Sequence, residues 1–188
     1  VHIGDNVGIG GEVMIWTHGA WLDVMQGFPA DFGPVHIGAN VWLPARCIVL
    51  PNVEIGENTV IGIGSVINKN IPSRCLAAGS PCKVLKENCY PKELSKEEKE
   101  KIVNNIINDW KILIKYKGKT ENYIIYYDKI TEILVLKQPN KNNSFYITSY
   151  NLVNKTIKGF ENKISEDLRD YLRRRGIKIF TKNNFKSI

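Results

Sequence analysis

Residues Pro34–Asn70, PVHIGANVWLPARCIVLPNVEIGENTVIGIGSVINKN, decide the fold. Aliphatic side chains stand at Ile37, Leu43, Val49, Ile55, Ile61 and Ile67, each six residues after the last. Two places earlier in each unit are Val35, Val41, Cys47, Val53, Thr59 and Ser65, small or β-branched residues that suit a strand. Gly38, Pro44, Gly56 and Gly62 follow the aliphatic positions, where the chain is expected to turn. An α-helix cannot keep one face inward at a period of six, because its own period is 3.6. A short strand of alternating residues followed by a corner can. Three such sides close a triangular prism with the aliphatic residues stacked inside. This is a parallel β-helix of hexapeptide repeats, a mainly β fold.

Upstream the same register holds at Ile3, Ile9 and Ile15. From Ile15 to Ile37 is 22 residues, which is not a multiple of six. The stretch Ile15–Pro34, IWTHGAWLDVMQGFPADFGP, must therefore leave the prism and return to it, with residues 16–34 as a protruding loop. An irregular loop of that length on a regular scaffold is a place to look for function.

Composition separates two halves. Residues 1–89 carry five Lys and Arg against seven Asp and Glu, whereas residues 90–188 carry 21 against 12. All but three of the fifteen glycines lie before residue 90. The reading is a β-helix over 1–90 and a small α+β C-terminal domain over 91–188. No apolar run is long enough for a membrane-spanning helix. Cys47, Cys75, Cys82 and Cys89 make no C-x-x-C pair, and a chain of 188 residues does not need disulfides, so reduced thiols in a cytoplasm are expected. The chain begins at Val1 in mid-rhythm without a methionine, which reads as a fragment or processed chain.

The run from Pro34 through the closing motif N-K-x-I-P, then A-A-G-x-P-x-K-V, resembles the hexapeptide-repeat acyltransferases. That family includes galactoside, maltose and xenobiotic acetyltransferases and many surface-polysaccharide O-acetyltransferases. The resemblance covers residues 1–90. It implies a left-handed coil and a homotrimer, with acetyl-coenzyme A lying between neighbouring prisms. It places the catalytic histidine at His18, on the loop, in WTHG. An imidazole suits the task, since a sugar hydroxyl must lose its proton as it attacks a thioester. No serine or cysteine nucleophile is needed, because the thioester is already activated. Asp23 is the candidate to orient that imidazole. Trp16, Trp21 and Phe28 are candidates for a sugar-stacking wall or for pinning the loop to a neighbouring subunit.

For the cofactor, the resemblance points to Asn68 and Lys69 at a turn facing the coenzyme, and to Lys83 and Lys86 near its phosphates. Gly64, Ala78 and Gly79 would let the pantetheine arm approach the backbone. Ile63 stands where the family more often has an alanine between two glycines, so it narrows the same channel. Trp42 matches a frequent tryptophan of the family and is expected to pack at a coil corner. A zinc site of three histidines is the metal alternative. His18 and His36 are 18 apart, but the loop destroys that register and His2 lies too far back to join them, so no metal is expected.

After Pro91 the rhythm ends. Ser95 and Glu98 form a capping box for a helix to about Tyr116, with Ile102, Ile106, Trp110, Leu113 and Ile114 on one face. Strand-like runs follow at 122–128, 131–137 and 144–150, with a polar turn at 138–143. A second helix is expected at 165–176, closed by Gly176, and Ile177–Phe180 as a returning strand. The lysines are scattered and no recognition motif appears, which argues against nucleic acid. An anionic substrate or a peripheral membrane contact fits the charge better, and a solubilising face on an oligomer-supporting domain fits it best.

The sequence thus suggests an acetyl-coenzyme A-dependent O-acetyltransferase acting on a sugar in surface-polysaccharide synthesis. Two other readings fit the same fold: an N-acetyltransferase of a nucleotide-linked amino sugar, and a non-catalytic trimeric assembly module.

Overall fold

The computed structural model describes residues 1–119, 122–142 and 144–182, and the chain divides into two compact units, Val1–Glu93 and Leu94–Ile188. The first unit is a coil of very short strands: β1 (His2–Ile3), β2 (Gly8–Ile9), β3 (Met14–Ile15), then β4 (His18–Gly19) and β5 (Asp31–Phe32) within the loop. The coil resumes with β6 (His36–Ile37), β7 (Trp42–Leu43), β8 (Ile48–Val49), β9 (Glu54–Ile55), β10 (Val60–Ile61) and β11 (Val66–Ile67). It closes with β12 (Leu76–Ala78) and β13 (Lys83–Lys86). Three parallel faces result: β1–β6–β9, β2–β7–β10–β12 and β3–β8–β11, with β13 added antiparallel to β12.

The core follows the six-residue rhythm. Ile37, Leu43, Val49, Ile55, Ile61 and Ile67 are at most 1% exposed, and the positions two before them are buried as well. The two polar members of that second set keep their hydroxyls satisfied: Thr59 Oγ1 donates to Pro72 O (3.0 Å) and Ser65 Oγ to Gly62 O (2.6 Å). Ile3 and Ile9 continue the same rhythm, in register with Ile37 and Leu43.

The corners differ from the sequence expectation in one respect. The chain does leave each strand at Gly38, Pro44, Gly56 or Gly62, but the left-handed residue comes two places later. Asn40, Arg46, Asn52 and Asn58 hold φ between 56° and 61°, as Asn6 and Glu12 do at 55° and 60°. Asparagine tolerates this region better than most residues. Its amide also stitches coil to coil, Asn6 Nδ2 donating to Asn40 Oδ1 (2.8 Å) and Asn40 Nδ2 to Asn58 Oδ1 (3.1 Å). Gly38 serves close approach instead: a Cβ there would lie 2.6 Å from the Glu57 amide nitrogen of the next coil. Trp42 is on a face, in β7, and not at a corner. Its half-exposed ring covers Gly8, whose missing Cβ leaves room for it.

The second unit is α+β. Helix α1 (Lys96–Tyr116) starts at the expected capping box, Glu98 N–H donating to Ser95 Oγ and Ser95 N–H to Glu98 Oε2. An antiparallel sheet follows, β14 (Ile124–Asp128), β15 (Ile133–Pro139), β16 (Phe145–Asn151) and β17 (Thr156–Gly159), then α2 (Lys163–Arg173). Val103, Ile106, Ile107, Trp110 and Ile114 of α1 pack with Leu134, Leu136 and Tyr150 of the sheet and Ile164, Leu168 and Leu172 of α2. Ile106, Trp110 and Ile114 are buried as expected, whereas Ile102 is 44% exposed and Val103 and Ile107 complete the stripe.

Three expectations for this unit are corrected. Strand β17 is a lysine-bearing edge strand whose polar sequence hid it. Helix α2 begins earlier, because Asn162 caps it by accepting from the N–H groups of Ile164 and Ser165. Residues 177–180 form no strand: Ile179 is buried and its carbonyl accepts from the buried Arg169 guanidinium (3.2 Å). Asn143, the last residue of the expected polar turn, lies outside the described residues.

Candidate functional site

The loop is the one departure from the coil between β3 and β6. Strands paired across it differ by 34 positions, as His2 with His36, whereas the coils that follow differ by 18, as His36 with Glu54, and the last by 16, as Ile61 with Ala77. The excursion is thus 16 residues, and the prism resumes its register as though they were not there. Its base is closed by Gly33 N–H donating to Thr17 O (2.9 Å), and β4 and β5 pair above it as an antiparallel ribbon.

His18 opens that ribbon. It is exposed, lies opposite Phe32, and its ring stacks on the Phe32 ring at 6.1 Å between centroids and 17° between planes. Phe32 was not among the residues expected from sequence. The alternation of apolar and polar residues needed to find it is lost in a two-residue strand. Asn52 was missed too. Its Nδ2 donates to Asp31 Oδ1 (2.8 Å) and to Phe32 O (3.2 Å), fastening the returning strand to a prism corner. A trace was visible in the asparagines recurring at corner positions.

Asp23 sits at the far end of the loop. Its Oδ1 accepts from the Met25 N–H (2.9 Å), capping a single 3-10 turn at Val24–Gln26. No hydrogen bond joins Asp23 to His18 among the described residues. The loop's apolar side chains are turned outward: Trp21 is 95% exposed and Met25 89%, with Trp16, Leu22, Val24, Phe28 and Phe32 all more than two-fifths exposed.

His2 and His36 lie side by side on one face, with ring centroids 6.0 Å apart. Counting along the loop made His2 look remote from His36, but hydrogen-bond register is the relevant distance. Among the described residues, no group of three or more His, Cys, Asp and Glu is arranged to hold a metal ion.

The expected cofactor residues fall in the last coil. Ile63 and Gly64 form an exposed corner, Gly64 at φ 68°; Ala78 ends the neighbouring strand β12 and Gly79 begins the turn after it. Ser65 ties the two together, since its Oγ accepts from the Gly79 N–H (3.1 Å) while donating to Gly62 O. A Cβ on Gly62 would stand 2.6 Å from the Ala78 methyl, so the backbones are as close as small residues permit. Lys83 pairs in register with Ala78, whereas Lys86 pairs with Leu76 at the other end of β13. Asn68 and Lys69 occupy the corner after β11, both exposed. The structure therefore gathers Ile63, Gly64, Ala78, Gly79 and Lys83, and leaves Asn68, Lys69 and Lys86 at separate exposed positions of the same coil end.

Comparison with known proteins agrees with the geometry of this unit. Residues 34–69 match the family model for the bacterial transferase hexapeptide (six repeats). A Staphylococcus aureus (strain COL) protein provisionally named an acetyltransferase is 50% identical over 68 residues, 35% of this chain and 34% of that protein. Galactoside O-acetyltransferase of Escherichia coli (strain K12) is 39% identical over 89 residues, 46% of this chain and 44% of that enzyme. Among solved structures, a maltose O-acetyltransferase from Clostridium difficile 630 aligns at 41% identity with a TM-score of 0.42, covering 46% of this chain and 47% of that one. The chain spans between about a third and just under half the length of these curated relatives. The matched segment, its six-residue rhythm and the three parallel faces converge: the N-terminal unit is a left-handed β-helix of hexapeptide repeats, similar to the hexapeptide-repeat acyltransferases.

Proposed function

We propose that the chain is an acetyl-coenzyme A-dependent O-acetyltransferase acting on a sugar hydroxyl, with His18 as general base, in surface-polysaccharide synthesis in the cytoplasm. The observation that carries this is the placement of the imidazole: it stands at the mouth of the only excursion in the regular coil, held by a ribbon that is fastened to the prism through Asn52. The name of the galactoside enzyme, which matches over this same unit, supports the reaction class.

In this reading the His18 imidazole takes the proton of the acceptor hydroxyl as its oxygen attacks the thioester carbonyl. The carbon–sulfur bond breaks, the acetyl group stays on the sugar oxygen, and the imidazolium returns the proton to the coenzyme A thiolate. The Gly64 and Gly79 backbone, with Ile63 and Ala78, lines the pantetheine arm, while Lys83 and Lys86 meet phosphates and Asn68 and Lys69 face the coenzyme from the next corner. Trp16, Trp21 and Phe28 form the acceptor wall. Asp23 orients the imidazole through its second carboxylate oxygen once the loop is seated on a neighbouring copy.

That neighbour is a partner in a homotrimer. A side chain as apolar as Trp21 at 95% exposure is expected to gain cover on assembly. The test is His18→Ala, assayed by thiol release with acetyl-coenzyme A and galactoside or maltose acceptors. Loss of a general base predicts a kcat/KM lower by about 10²–10⁴-fold at unchanged Tm. Undiminished transfer would sink the proposal.

A further inference from the structure

The helix-facing side of β15 reads Leu134, Leu136, Gln138, and the third step is an amide where the first two are core leucines. Gln138 is only 5% exposed. Its neighbour on β16 changes in parallel, from Tyr150 and Thr148 to Tyr146, which pairs in register with Gln138. At this end of the sheet the core gives way to a cavity of about 470 Å³ lined by Asn122, Gln138, Pro139, Tyr146, Phe160 and Asn162. That volume lies within the range of small-molecule sites.

The lining has a definite chemistry. Three of the six residues are amides, two are aromatic, and none is charged. Gln138 is oriented by accepting, through Oε1, from Asn162 Nδ2 (2.9 Å), and Asn162 is itself fixed as the cap of α2. The amide pair is thus held in place by the fold. Tyr146 and Phe160 stack face to face at 4.0 Å with 16° between planes, so each covers one face of the other, and both stay about two-fifths exposed as an aromatic wall of the cavity. The Asn122 amide and the Tyr146 hydroxyl have no hydrogen-bond partner among the described residues. Polar residues that break a core pattern, as Gln138 does, mark functional places.

We infer that this cavity is a binding site for a neutral saccharide. Amides offer a donor and an acceptor side by side, which matches vicinal hydroxyls. The outer face of the stacked aromatic pair matches the apolar face of a sugar ring. The uncharged lining does not match a phosphate-bearing ligand, whose binding rests on lysine and arginine contacts. The second unit would then hold a glycan chain while the first unit modifies it, so the choice of saccharide rests on the proposed acetyl transfer, but the site itself does not.

The experiment is titration of the full chain, without acetyl-coenzyme A, with three neutral probes: maltoheptaose, cellopentaose and galactotetraose. Binding of at least one probe, unchanged by added salt, is expected. Asn122→Ala removes an exposed amide with no structural partner, and should weaken that binding by about tenfold at unchanged Tm. Tyr146→Ala should weaken it at least as much, and Tyr146→Phe should recover the stacking part. His18→Ala should leave it untouched, which separates this site from the acetyl-transfer reading. Binding of none of the three probes, or binding indifferent to both Asn122→Ala and Tyr146→Ala, overturns the inference. So does preferential, salt-sensitive binding of single-stranded RNA that Asn122→Ala abolishes.

Discussion

Asn52→Gly separates the loop from the prism. Asn52 lies at a corner with φ 61°, a conformation glycine adopts without strain, so the coil should keep its path. What disappears is the amide that donates to Asp31 Oδ1 and to Phe32 O. Each is a solvent-accessible hydrogen bond, worth about 1 kcal/mol net, so the returning strand should lose about 2 kcal/mol of local stability, a factor of about thirty. Hydrogen exchange reads this directly. The Gly33 amide, bonded to Thr17 O, should exchange about thirtyfold faster, while the amides of Ile37, Val49 and Ile55 keep their protection. Because His18 is presented by the same ribbon, acetyl transfer should fall in kcat/KM with little change in Tm. Asn52→Asp places a second carboxylate beside Asp31 and should loosen the ribbon further. Equal protection of Gly33 in wild type and Asn52→Gly would refute the idea that this corner anchors the site, and so would a loss of protection spread through the coil.

Ile55→Ala, at a fully buried prism position, should cost about 2–5 kcal/mol, as urea unfolding would report. In the second unit, Asp167 accepts from Trp110 Nε1 (3.2 Å) and pairs with Lys117 and Lys119 at 2.7 and 3.0 Å. Burial alone would raise its carboxyl, but the lysine hydrogen bonds outweigh burial and hold it below the usual range. The stabilisation is therefore present above the unfolded value of about 4 and drains away as pH falls through the lower folded value. Asp167→Asn should flatten that acid limb of the exchange protection of α1 and α2. Burial also raises the thiols of Cys75 and Cys82, so iodoacetamide at mildly alkaline pH should label the half-exposed Cys89 first, which peptide mapping would show.

The prism was legible because its period is set by geometry that every coil repeats. Ile37 and Ile67 obey the same rule for the same reason, and a single sequence samples that rule many times. The loop was legible only as a violation. Its length fixed that it must project, and residue type singled out His18. The partners that hold it, Phe32 and Asn52, lie one across a two-residue strand and one a coil away, contacts with no local signature. Asp23 has a local role that its nearness to His18 in sequence did not announce: one carboxylate oxygen caps the turn at Val24–Gln26. In the second unit, capping chemistry located the start of α1, because Ser95 and Glu98 act within one turn. The strand expected at 177–180 failed because alternation says nothing about whether an edge is available to pair with. Gln138 looked like turn material in QPNKNN, and only the sheet register reveals it as an amide in the core layer.

The 16-residue excursion has a further consequence for how such a protein can change. The coil leaves at Trp16 and returns at Gly33 across a single hydrogen bond, and the strands on either side pair as if nothing intervened. Joining Trp16 directly to Gly33 would restore six steps between Ile15 and Ile37. The scaffold is therefore indifferent to what is spliced in at this point, and the cost of closing a longer or shorter insert grows only slowly with its length. Stability resides in the repeats and novelty in the splice, so new loop sequences can be tried there without renegotiating the fold.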